Sequence, residues 1–475
     1  MRSTGWLINP HCKVDGATPE RRKTKHLYIR LDALREKIID WFGPAGKDGA
    51  WTTNALAITQ SWIDKGLQPR AISRDLRWGV PIPSVEGLSD EEYSRKVMYV
   101  WFDAPIGYIS ITKTYTDGDD TSGTKWEQWW KNPENVKLYQ FMGKDNVQFH
   151  SIVFPASQLG TGEKWTKVHK ISATEYLNYE NGKFSKSKGV GIFGNNAKDT
   201  GIAADIWRFY LLSRRPENGD TEFKWEEFID TNNNELLKNI GNLVQRTLKF
   251  CHAKMDGVVP ESDYSSDVID TFKTQAGELL TSYIEHLEGT RLRAGVMNIL
   301  SLGALGNKFL QDNKLDNRLL AEEPARCKAV ISTAISHIYL LANLIAPYMP
   351  DISRSIFEQL AVDPVAHIPE TWDFGSIPAG HAIGTPKVLF TAIPVSKIEE
   401  WRLAYGGEEL KRQKALQAEK AAAKKAKQLE AKEKKKQAKL AAAAAAAAVA
   451  TTPSGEAKQA ATAVPDVAGL SLEKN

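Results

Sequence analysis

Gly182-Lys183-Phe184-Ser185-Lys186-Ser187-Lys188-Gly189 is the stretch of this sequence that says most about its fold. It places two lysines, Lys183 and Lys186, three residues apart among glycine and serine residues that favour a loop. Ammonium groups on such a loop can follow the charge that develops on phosphate oxygens when a polyphosphate is attacked. Lysine-rich surface loops without a ligand have the same composition. The octapeptide alone therefore leaves phosphate binding and a solvated loop both open.

The residues around this loop predict an α/β domain followed by a helical one. Up to about residue 225, short β-rich runs are mixed with helical stretches, and residues 97–102, 137–142 and 167–172 are predicted to be buried strands. From about 226 to 385, apolar residues recur at helical spacing, which predicts a bundle of four or five helices. One of these helices is predicted to end at Pro347.

Composition is that of a soluble globular protein from a reducing compartment. Hydrophobic residues make up 42% and charged residues 25%, and the three cysteines are scattered and odd in number. No run has the length of a signal peptide or a membrane span. The most apolar window, residues 331–346, contains Ser336, His337 and Asn343 and is predicted to be a buried helix. We expect a cytosolic protein that contacts no membrane.

Positive charge is concentrated near the C-terminus. Residues 411–440 hold 12 Lys/Arg and 3 Asp/Glu, a net charge of +9, so the remaining residues carry +4 − 9 = −5. This segment is predicted to be one long exposed helix, followed by eight alanines and then by an Ala/Ser/Thr/Pro-rich stretch predicted to be disordered. A tail that binds a polyanion and a merely solvated helix remain equal alternatives.

The loop and its neighbours resemble one enzyme family. Residues 183–187 are similar to the KMSKS loop of class I aminoacyl-tRNA synthetases, with Phe184 in place of the usual methionine. Residues 173–180, 189–194 and 200–211 resemble the methionyl members of eukaryotic type, and the likeness runs from about residue 6 to about 385. It implies an α/β Rossmann-type catalytic domain, a helical anticodon-binding domain, and ATP-dependent transfer of methionine to tRNA(Met), initiator and elongator.

The resemblance also assigns roles to individual residues. It implies that ATP, carrying Mg²⁺ as part of the substrate, contacts Lys183, Ser185, Lys186, Ser187, Gly143 and Asp145, with the two lysines catalytic. It implies a methionine pocket formed by Trp101, Ala104, Pro105, Tyr108, Asn146 and His150. An aromatic, apolar pocket suits a polarizable thioether, and the Tyr108 hydroxyl is expected to donate a weak hydrogen bond to the sulfur. Without the resemblance, such an aromatic cluster is more often ordinary core.

Anticodon recognition is assigned to the helical domain. Asn242 and Arg246 are spaced i, i+4 opposite the apolar stripe of their helix, and the resemblance implies that they read anticodon bases. Trp372 is the candidate for stacking on a base. An exposed Asn/Arg pair is otherwise only a solvated helix face.

The sequence departs from the family in two places. It contains no HIGH motif, and the likeness begins midway through the nucleotide-binding domain. We therefore expect only the rear half of that domain, with apolar sheet edges left exposed. Where many members have Cys-x-x-Cys pairs, this chain has Cys12 and then Asp15, so bound zinc is not expected.

These features divide the chain into four predicted regions. Residues 1–30 are a remnant of the connective insert, 31–225 the rear catalytic domain, 226–385 the anticodon-binding domain, and 386–475 a basic Lys/Ala-rich helix and disordered tail. Methionine–tRNA ligase activity is the leading hypothesis. The alternatives are a catalytically incomplete fragment that only binds tRNA or complements a missing half, and an assembly subunit whose tail binds other proteins.

Overall fold

The computed structural model describes residues 11–12, 16–20, 23–84, 87, 93–180 and 182–449, without the side chains of 447–449. Asp15, Asn181 and the stretch from residue 450 onward lie outside the described residues. The chain separates into two compact units, one up to Tyr405 and one from Gly406, and each is described by itself.

The first part of the first unit contains four pairs of short strands. The antiparallel pairs are β1 (Tyr28–Ile29) with β2 (Arg70–Ala71) and β3 (Ser73–Arg74) with β4 (Val97–Met98). The parallel pairs are β5 (Leu138–Gly143) with β6 (Val168–Thr174) and β7 (Leu177–Tyr179) with β8 (Thr221–Phe223). The helices up to residue 230 are α1 (Arg35–Asp48), α2 (Thr53–Asp64), α3 (Val100–Asp103), α4 (Ile106–Asp117), α5 (Glu127–Trp130), α6 (Phe154–Gly160), α7 (Gly194–Asp199), α8 (Ala204–Ser213) and α9 (Trp225–Asp230).

The β5–β6 pair is the centre of the α/β part, and it confirms the strands predicted at 137–142 and 167–172. The prediction that the first of them is buried is wrong, because only Gln140 of β5 is buried, and Tyr139 and Phe141 are exposed. The first and last residues of both strands agree with the predicted ranges 137–142 and 167–172 within two residues. Helices α1 and α2 pack against β6, and Ile38 and Ala55 share a hydrophobic core with Ile171 and Ala173. Strand β6 is buried along most of its length, with Lys170 and Ser172 buried beside Val168, Ile171 and Ala173.

The third predicted strand, residues 97–102, is wrong beyond Met98. The chain turns into the short helix α3, in which the amides of Phe102 and Asp103 donate to the Tyr99 carbonyl. Val100 and Trp101 are 57% and 48% exposed rather than buried. Periodicity cannot distinguish a short apolar strand from a short helix, and here Trp101 lines a cavity instead of a core.

An apolar face is left uncovered beside the parallel pair, as expected. Helix α4 has no buried residue, and Tyr108, Ile111 and Tyr115 form one exposed stripe along it. Phe141 on β5 is 54% exposed, and among the described strands β5 pairs only with β6. The prediction that apolar edges are exposed is therefore confirmed.

Five long helical segments form the bundle between residues 226 and 385, all of which the structure describes. They are a π-helical segment (Thr231–Gly241) continued by α10 (Asn242–Lys254), then α11 (Asp267–Glu288), α12 (Leu292–Asp312), α14 (Pro324–Ile345) and α15 (Pro350–Leu360), with the short α13 (Asn317–Glu322) between α12 and α14. Helix α14 ends two residues before Pro347, as predicted, and it is buried almost throughout. It is long and apolar enough to cross a membrane, but 89% of its most apolar window is buried in the structure.

One hydrophobic core runs across residue 225. It joins bundle residues such as Leu243 and Ile335 to Tyr179, Phe209 and Phe223 of the preceding segment. The sequence-based division placed residues 386–405 with the tail. However, Phe390 and Trp401 are buried in this same core. Trp401 lies in helix α16 (Lys397–Tyr405). The four domain boundaries themselves stay predictions.

The second unit contains one helix, α17 (Gly407–Val449), in its described part. The predicted long exposed helix over 411–440 is thus confirmed. Its side chains from residue 411 to 446 are exposed, including Leu416, Leu429 and Leu440. The three leucines do not form a buried face within this unit.

Buried His337 on α14 gives the bundle a pH dependence. Its Nε2 lies 2.9 Å from the Leu302 carbonyl, which can only accept, and its Nδ1 is buried without a partner. Burial disfavours the charged ring and lowers the pKa of His337 from 6.5 to about 4. Between these values the unfolded chain binds a proton that the native chain does not, so the free energy of unfolding falls as pH falls.

Replacing His337 with glutamine is expected to flatten this dependence. Glutamine keeps an N–H donor for the Leu302 carbonyl but does not titrate. We compare how steeply the free energy of unfolding falls between pH 6.5 and about pH 4, the two pKa values of His337. For each pH unit in this range, the fall in wild type should exceed the fall in His337→Gln by up to roughly 1.4 kcal/mol. Urea denaturation from pH 7 to pH 4 measures the difference, and other titrating groups cancel in the comparison. Parallel curves would contradict the role assigned to His337.

Candidate active site

Polar side chains gather where β5 and β6 end. Asp145 and Asn146 follow β5, and Glu175 and Tyr176 follow β6. The Tyr176 hydroxyl donates to both carboxylate oxygens of Asp145, at 2.8 and 2.6 Å. The carboxyl ends of parallel strands are the usual place for ligands in open α/β sheets.

An ion-pair network ties the two strand ends together. The Lys144 ammonium donates to Glu175 and lies 3.5 Å from Asp220, and Glu175 also accepts from the Asn54 amide. The hydrogen bond from Lys144 holds the pKa of Glu175 below its usual value, and the bond to Glu175 raises the pKa of Lys144. Both groups are therefore charged at neutral pH, and Lys144 is occupied by carboxylates.

All six residues predicted to bind methionine line one cavity of about 240 Å³. Trp101 comes from α3, Ala104 and Pro105 from the turn after it, and Tyr108 from α4. Asn146 comes from the turn after β5, and His150 from the π-helical turn Phe149–Val153 before α6. Gly107, Ile111 and Phe149 complete the wall.

Four of the nine residues that line the cavity carry aromatic rings. The ring centroids of Trp101 and Phe149 lie 4.8 Å apart, and the ring centroid of Tyr99 lies 5.1 Å from that of Trp101. Trp101 and Tyr108 remain 48% and 42% exposed, so the cavity is open to solvent. Flat, polarizable walls of this kind suit an unbranched apolar side chain or a thioether.

His150 and Tyr108 are connected by a hydrogen bond that fixes both. The His150 Nδ1 lies 2.8 Å from the Asn146 carbonyl, which can only accept, so Nδ1 carries a proton. Burial lowers the pKa of His150, so its ring is neutral near pH 7 and Nε2 is an acceptor. The Tyr108 hydroxyl, 3.0 Å away, therefore donates to Nε2.

This bond corrects one expectation. The Tyr108 hydroxyl has a single proton, and in this structure that proton is directed at His150 rather than at a sulfur in the cavity. The hydroxyl oxygen still has a free lone pair, so toward the cavity it presents an acceptor. In this structure the Tyr108 hydroxyl therefore offers the cavity no donor.

The lysine loop lies beyond β7 and is closed by two backbone hydrogen bonds. Ser185 and Val190 exchange N–H···O bonds of 2.8 and 3.0 Å, and residues Lys186–Lys188 form one turn of 3₁₀ helix between them. Lys183, Lys186 and Ser187 are exposed. Within the described part of the chain, no side-chain partner holds the ammonium groups of Lys183 and Lys186.

Phe184 anchors this loop, which gives a physical reason for an aromatic residue at that position. Its ring packs against Tyr179 and Phe193, with centroids 5.3 and 5.9 Å away. Gly191 has φ +108°, and a Cβ there would lie 2.2 Å from the Phe184 ring. Only glycine fits at this position, so the packing of Phe184 on Gly191 fixes the base of the loop. The ammonium groups of Lys183 and Lys186 have no side-chain partner in the described structure.

The three proposed anticodon-binding residues differ in how exposed their side chains are. Asn242 and Arg246 are exposed on α10, as predicted, and neither side chain has a hydrogen-bond or ion-pair partner in the described structure. Trp372 is half-buried, with its Nε1 donating to the Ser336 carbonyl at 3.2 Å and its ring 5.3 Å from Tyr339. The indole of Trp372 thus has one edge committed to the bundle, and its role in stacking stays a prediction.

Comparison with known proteins decides the family. The family described as "tRNA synthetases class I (M)" matches residues 3–248, and "Anticodon binding domain of methionyl tRNA ligase" matches residues 259–410. The chain belongs to the methionyl class I tRNA synthetases. It therefore combines the class I catalytic fold with an anticodon-binding domain, as the sequence predicted.

Curated relatives agree with this family across eukaryotes. The "Probable methionine--tRNA ligase, cytoplasmic" of Schizosaccharomyces pombe is 51% identical over 406 residues, covering 84% of this chain and 50% of the relative. The "Methionine--tRNA ligase, cytoplasmic" of Saccharomyces cerevisiae is 48% identical over 405 residues, covering 85% and 52%. The Homo sapiens protein of that name is 45% identical over 408 residues, covering 85% and 44%. The chain spans about half the length of the curated relatives it matches.

Solved structures show the same fold. The apo form of Mycobacterium tuberculosis methionyl-tRNA synthetase superposes with a TM-score of 0.65 at 22% identity, covering 81% of this chain and 72% of that one. The same protein bound by methionyl-adenylate gives a TM-score of 0.67 at 21% identity, covering 80% and 71%.

Sequence reasoning missed three cavity residues of this methionyl synthetase chain. Phe149 follows Asn146 by three residues and Ile111 follows Tyr108 by three, so helical spacing from the predicted residues signals both. Gly107 carries no such signal. Among the described residues no group of three or more His, Cys, Asp or Glu side chains is placed to hold a metal ion, and Cys12 is exposed.

Proposed function

We propose that this protein acts as a methionine–tRNA ligase in the cytoplasm, activating methionine with ATP and transferring it to tRNA(Met), initiator and elongator. The observation that carries the proposal is the single cavity lined by Trp101, Ala104, Pro105, Tyr108, Asn146 and His150. The cavity opens next to the carboxyl ends of β5 and β6. From β6 the chain continues through β7 to the lysine loop. Membership of the methionyl family supports the choice of substrate.

The chemistry has two steps. The methionine carboxylate attacks the α-phosphorus of ATP, a P–O bond forms, and pyrophosphate leaves, giving methionyl-adenylate. A terminal ribose hydroxyl of tRNA then attacks the carbonyl carbon, and AMP leaves. We assign Lys183 and Lys186 to the charge that develops on the phosphates, with Ser185, Ser187, Gly143 and Asp145 along the nucleotide. Magnesium arrives with ATP as part of that substrate.

Selectivity for methionine follows from the cavity. Trp101 and Phe149 offer flat faces to an unbranched side chain, and the Tyr108–His150 bond keeps both polar groups satisfied without a ligand. A competing polar side chain would lose its water and find no free donor on these two groups. The chain contributes positioning and electrostatic stabilisation, and no covalent nucleophile is assigned.

We assign the remaining regions as follows. Residues 31–225 form the rear half of a Rossmann-type catalytic domain and 226–385 the anticodon-binding domain, with Asn242, Arg246 and Trp372 reading tRNA. Residues 1–30 are the remnant of the connective insert, without zinc. The basic Lys/Ala-rich tail contacts tRNA phosphates, and other proteins are its secondary partners.

Methionine-dependent ATP–pyrophosphate exchange tests the proposal. Because the chain spans about half of its relatives' length, the assay is run on the 475-residue chain alone and mixed with a polypeptide carrying the residues of the Schizosaccharomyces pombe relative that it does not match. Exchange in either preparation that is lost with Lys186→Ala supports the proposal. No exchange in both, with tRNA(Met) binding intact, would contradict it in favour of a chain that only binds tRNA.

Removing the second unit is expected to weaken tRNA binding in a salt-dependent way. Residues 411–440 carry a net charge of +9 and are exposed on α17 wherever the structure describes them. Deleting residues 406–475 should reduce the slope of log Kobs against log[salt] by about 0.7–0.9 for each phosphate that the tail neutralises in the full chain. A chain in which the tail lysines are replaced by glutamine separates charge from helix, since the helix remains and the positive charge is lost. If the tail acts through its charge, this variant should show the same reduction in slope as the deletion. A loss of affinity that does not depend on salt would contradict the binding of phosphates by the tail.

A further inference from the structure

Helix α16 reaches the lysine loop from a distant part of the chain. Trp401 is 5% exposed, and its ring lies 4.9 Å from that of Trp225, which is fully buried at the start of α9. The ring of Tyr405, at the end of α16, lies 5.8 Å from that of Trp225, with the two ring planes 29° apart. Trp225 in turn donates to the Tyr179 hydroxyl at 2.9 Å, at the end of β7. The base of the loop and α16 therefore share one aromatic cluster.

Arg402 connects α16 to the residue that enters the loop. Its Nε donates to Glu180 at 3.0 Å, its Nη2 to Glu226 at 2.5 Å and its Nη1 to Glu399 at 2.6 Å. The bonds to Glu226 and Glu399 reach side chains that are 54% and 62% exposed, whereas the bond to Glu180 joins side chains that are only 22% and 16% exposed. Charge-assisted bonds shielded in this way are stronger than those of an open surface pair.

Glu180 is held in an unusual conformation. Its φ is +44°, in the left-handed region that non-glycine residues rarely adopt. Its carboxylate accepts from the Trp225 amide at 3.0 Å as well as from Arg402, and its own amide donates to the Phe223 carbonyl. Surrounding contacts thus fix the backbone direction with which the chain enters the loop.

The exit of the loop is tied to the same helix. The Gly191 amide donates to the Tyr405 carbonyl at 2.9 Å, directly after the Ser185–Val190 pair that closes the loop. The Tyr405 hydroxyl reaches the Asn196 carbonyl at 3.4 Å, in α7. Helix α16 therefore contacts both ends of the loop, and it leaves the lysines between them unbound.

We propose that α16 is a positioning element for the lysine loop, with Arg402 fixing its entrance through Glu180 and Tyr405 fixing its exit through Gly191. In the proposed reaction, which this inference rests on, a fixed base keeps Lys183 and Lys186 within reach of the phosphates and reduces the number of loop conformations they sample. Arg402 touches no substrate and acts only through Glu180.

Hydrogen exchange on the 475-residue chain tests the positioning role without any catalysis. In Arg402→Gln, the amides of Ser185, Val190 and Gly191 are expected to exchange about tenfold faster than in wild type, because the charge-assisted hydrogen bond from Arg402 to Glu180 is removed. Amides of α14 should be unchanged. Arg354→Gln is the matched control, since Arg354 forms an exposed i, i+3 pair with Asp351 on α15.

Arg402→Lys covers the case in which the glutamine variant does not fold. Lysine keeps the charge but cannot contact three carboxylates in the planar fork geometry, so a smaller rise confined to the loop is expected. Loop exchange equal to that of wild type and Arg354→Gln would overturn the proposal. A rise of equal size in α14 with Arg402→Lys would overturn it as well, because Arg402 would then stabilise the whole unit.

A kinetic measurement separates this inference from the proposed function. In a preparation that performs pyrophosphate exchange, Arg402→Gln should lower kcat about tenfold and leave the KM for methionine unchanged, since the cavity is untouched. A changed KM with unchanged kcat would contradict the inference. If no preparation exchanges pyrophosphate, the proposed function fails, and the exchange of the loop amides still decides whether α16 positions the loop.

Discussion

Replacing Lys186 with alanine is expected to slow methionyl-adenylate formation by roughly 10²–10³-fold, with little change in methionine affinity. The ammonium group is exposed on the loop and has no partner in the described structure, so it is free to bind phosphate. Negative charge on the phosphate oxygens develops most in the transition state, and a group that binds that charge affects the rate more than substrate binding. The methionine cavity is lined by other residues and should be unaffected.

Single-turnover adenylate formation measures the effect in the preparation that exchanges pyrophosphate. Lys198→Ala is the matched control, because Lys198 is an exposed lysine on the neighbouring α7 and its removal changes the net charge equally. Lys186→Arg keeps the charge and should recover part of the rate. An unchanged single-turnover rate in Lys186→Ala would remove the catalytic assignment of the loop.

Truncating Trp225 to alanine is expected to lower the free energy of unfolding by about 3–5 kcal/mol. Its side chain is fully buried and packs against Trp207, Phe223, Phe228 and Trp401. Alanine would leave a cavity in this cluster and remove the bond from Nε1 to the Tyr179 hydroxyl. A loss of this size is a large fraction of the stability of a typical domain, which is about 5–15 kcal/mol.

Urea denaturation followed by circular dichroism measures this loss and avoids interference from the other tryptophans. Trp78→Ala is the matched control: Trp78 is 91% exposed, and its replacement should change the free energy by no more than about 0.5 kcal/mol. Trp225→Phe keeps an aromatic ring but not the N–H donor and should be intermediate. If Trp225→Ala and Trp78→Ala denature at the same urea concentration, burial of Trp225 in the aromatic cluster does not stabilise the unit.

Local sequence determined much of this protein. The short runs that become β5 and β6, the helical spacing of α14 and its end before Pro347 are set by neighbouring residues, and the structure confirms these elements. The helix over 411–440 follows from strong helix formers without glycine or proline. The six cavity residues are predictable because two short motifs, at 101–108 and 146–150, carry the family resemblance, and the structure brings them together.

Tertiary structure alone decided the rest. Whether residues 100–103 form a strand or a helical turn depends on the cavity they face, which periodicity does not encode. The Tyr108 proton is directed at His150, 42 positions away, because folding places the two rings together and buries the imidazole. The return of α16 to the loop likewise joins Arg402 to Glu180 across 222 positions. Contacts of this range depend on how whole elements pack, so a pattern that repeats every two or four residues does not encode them.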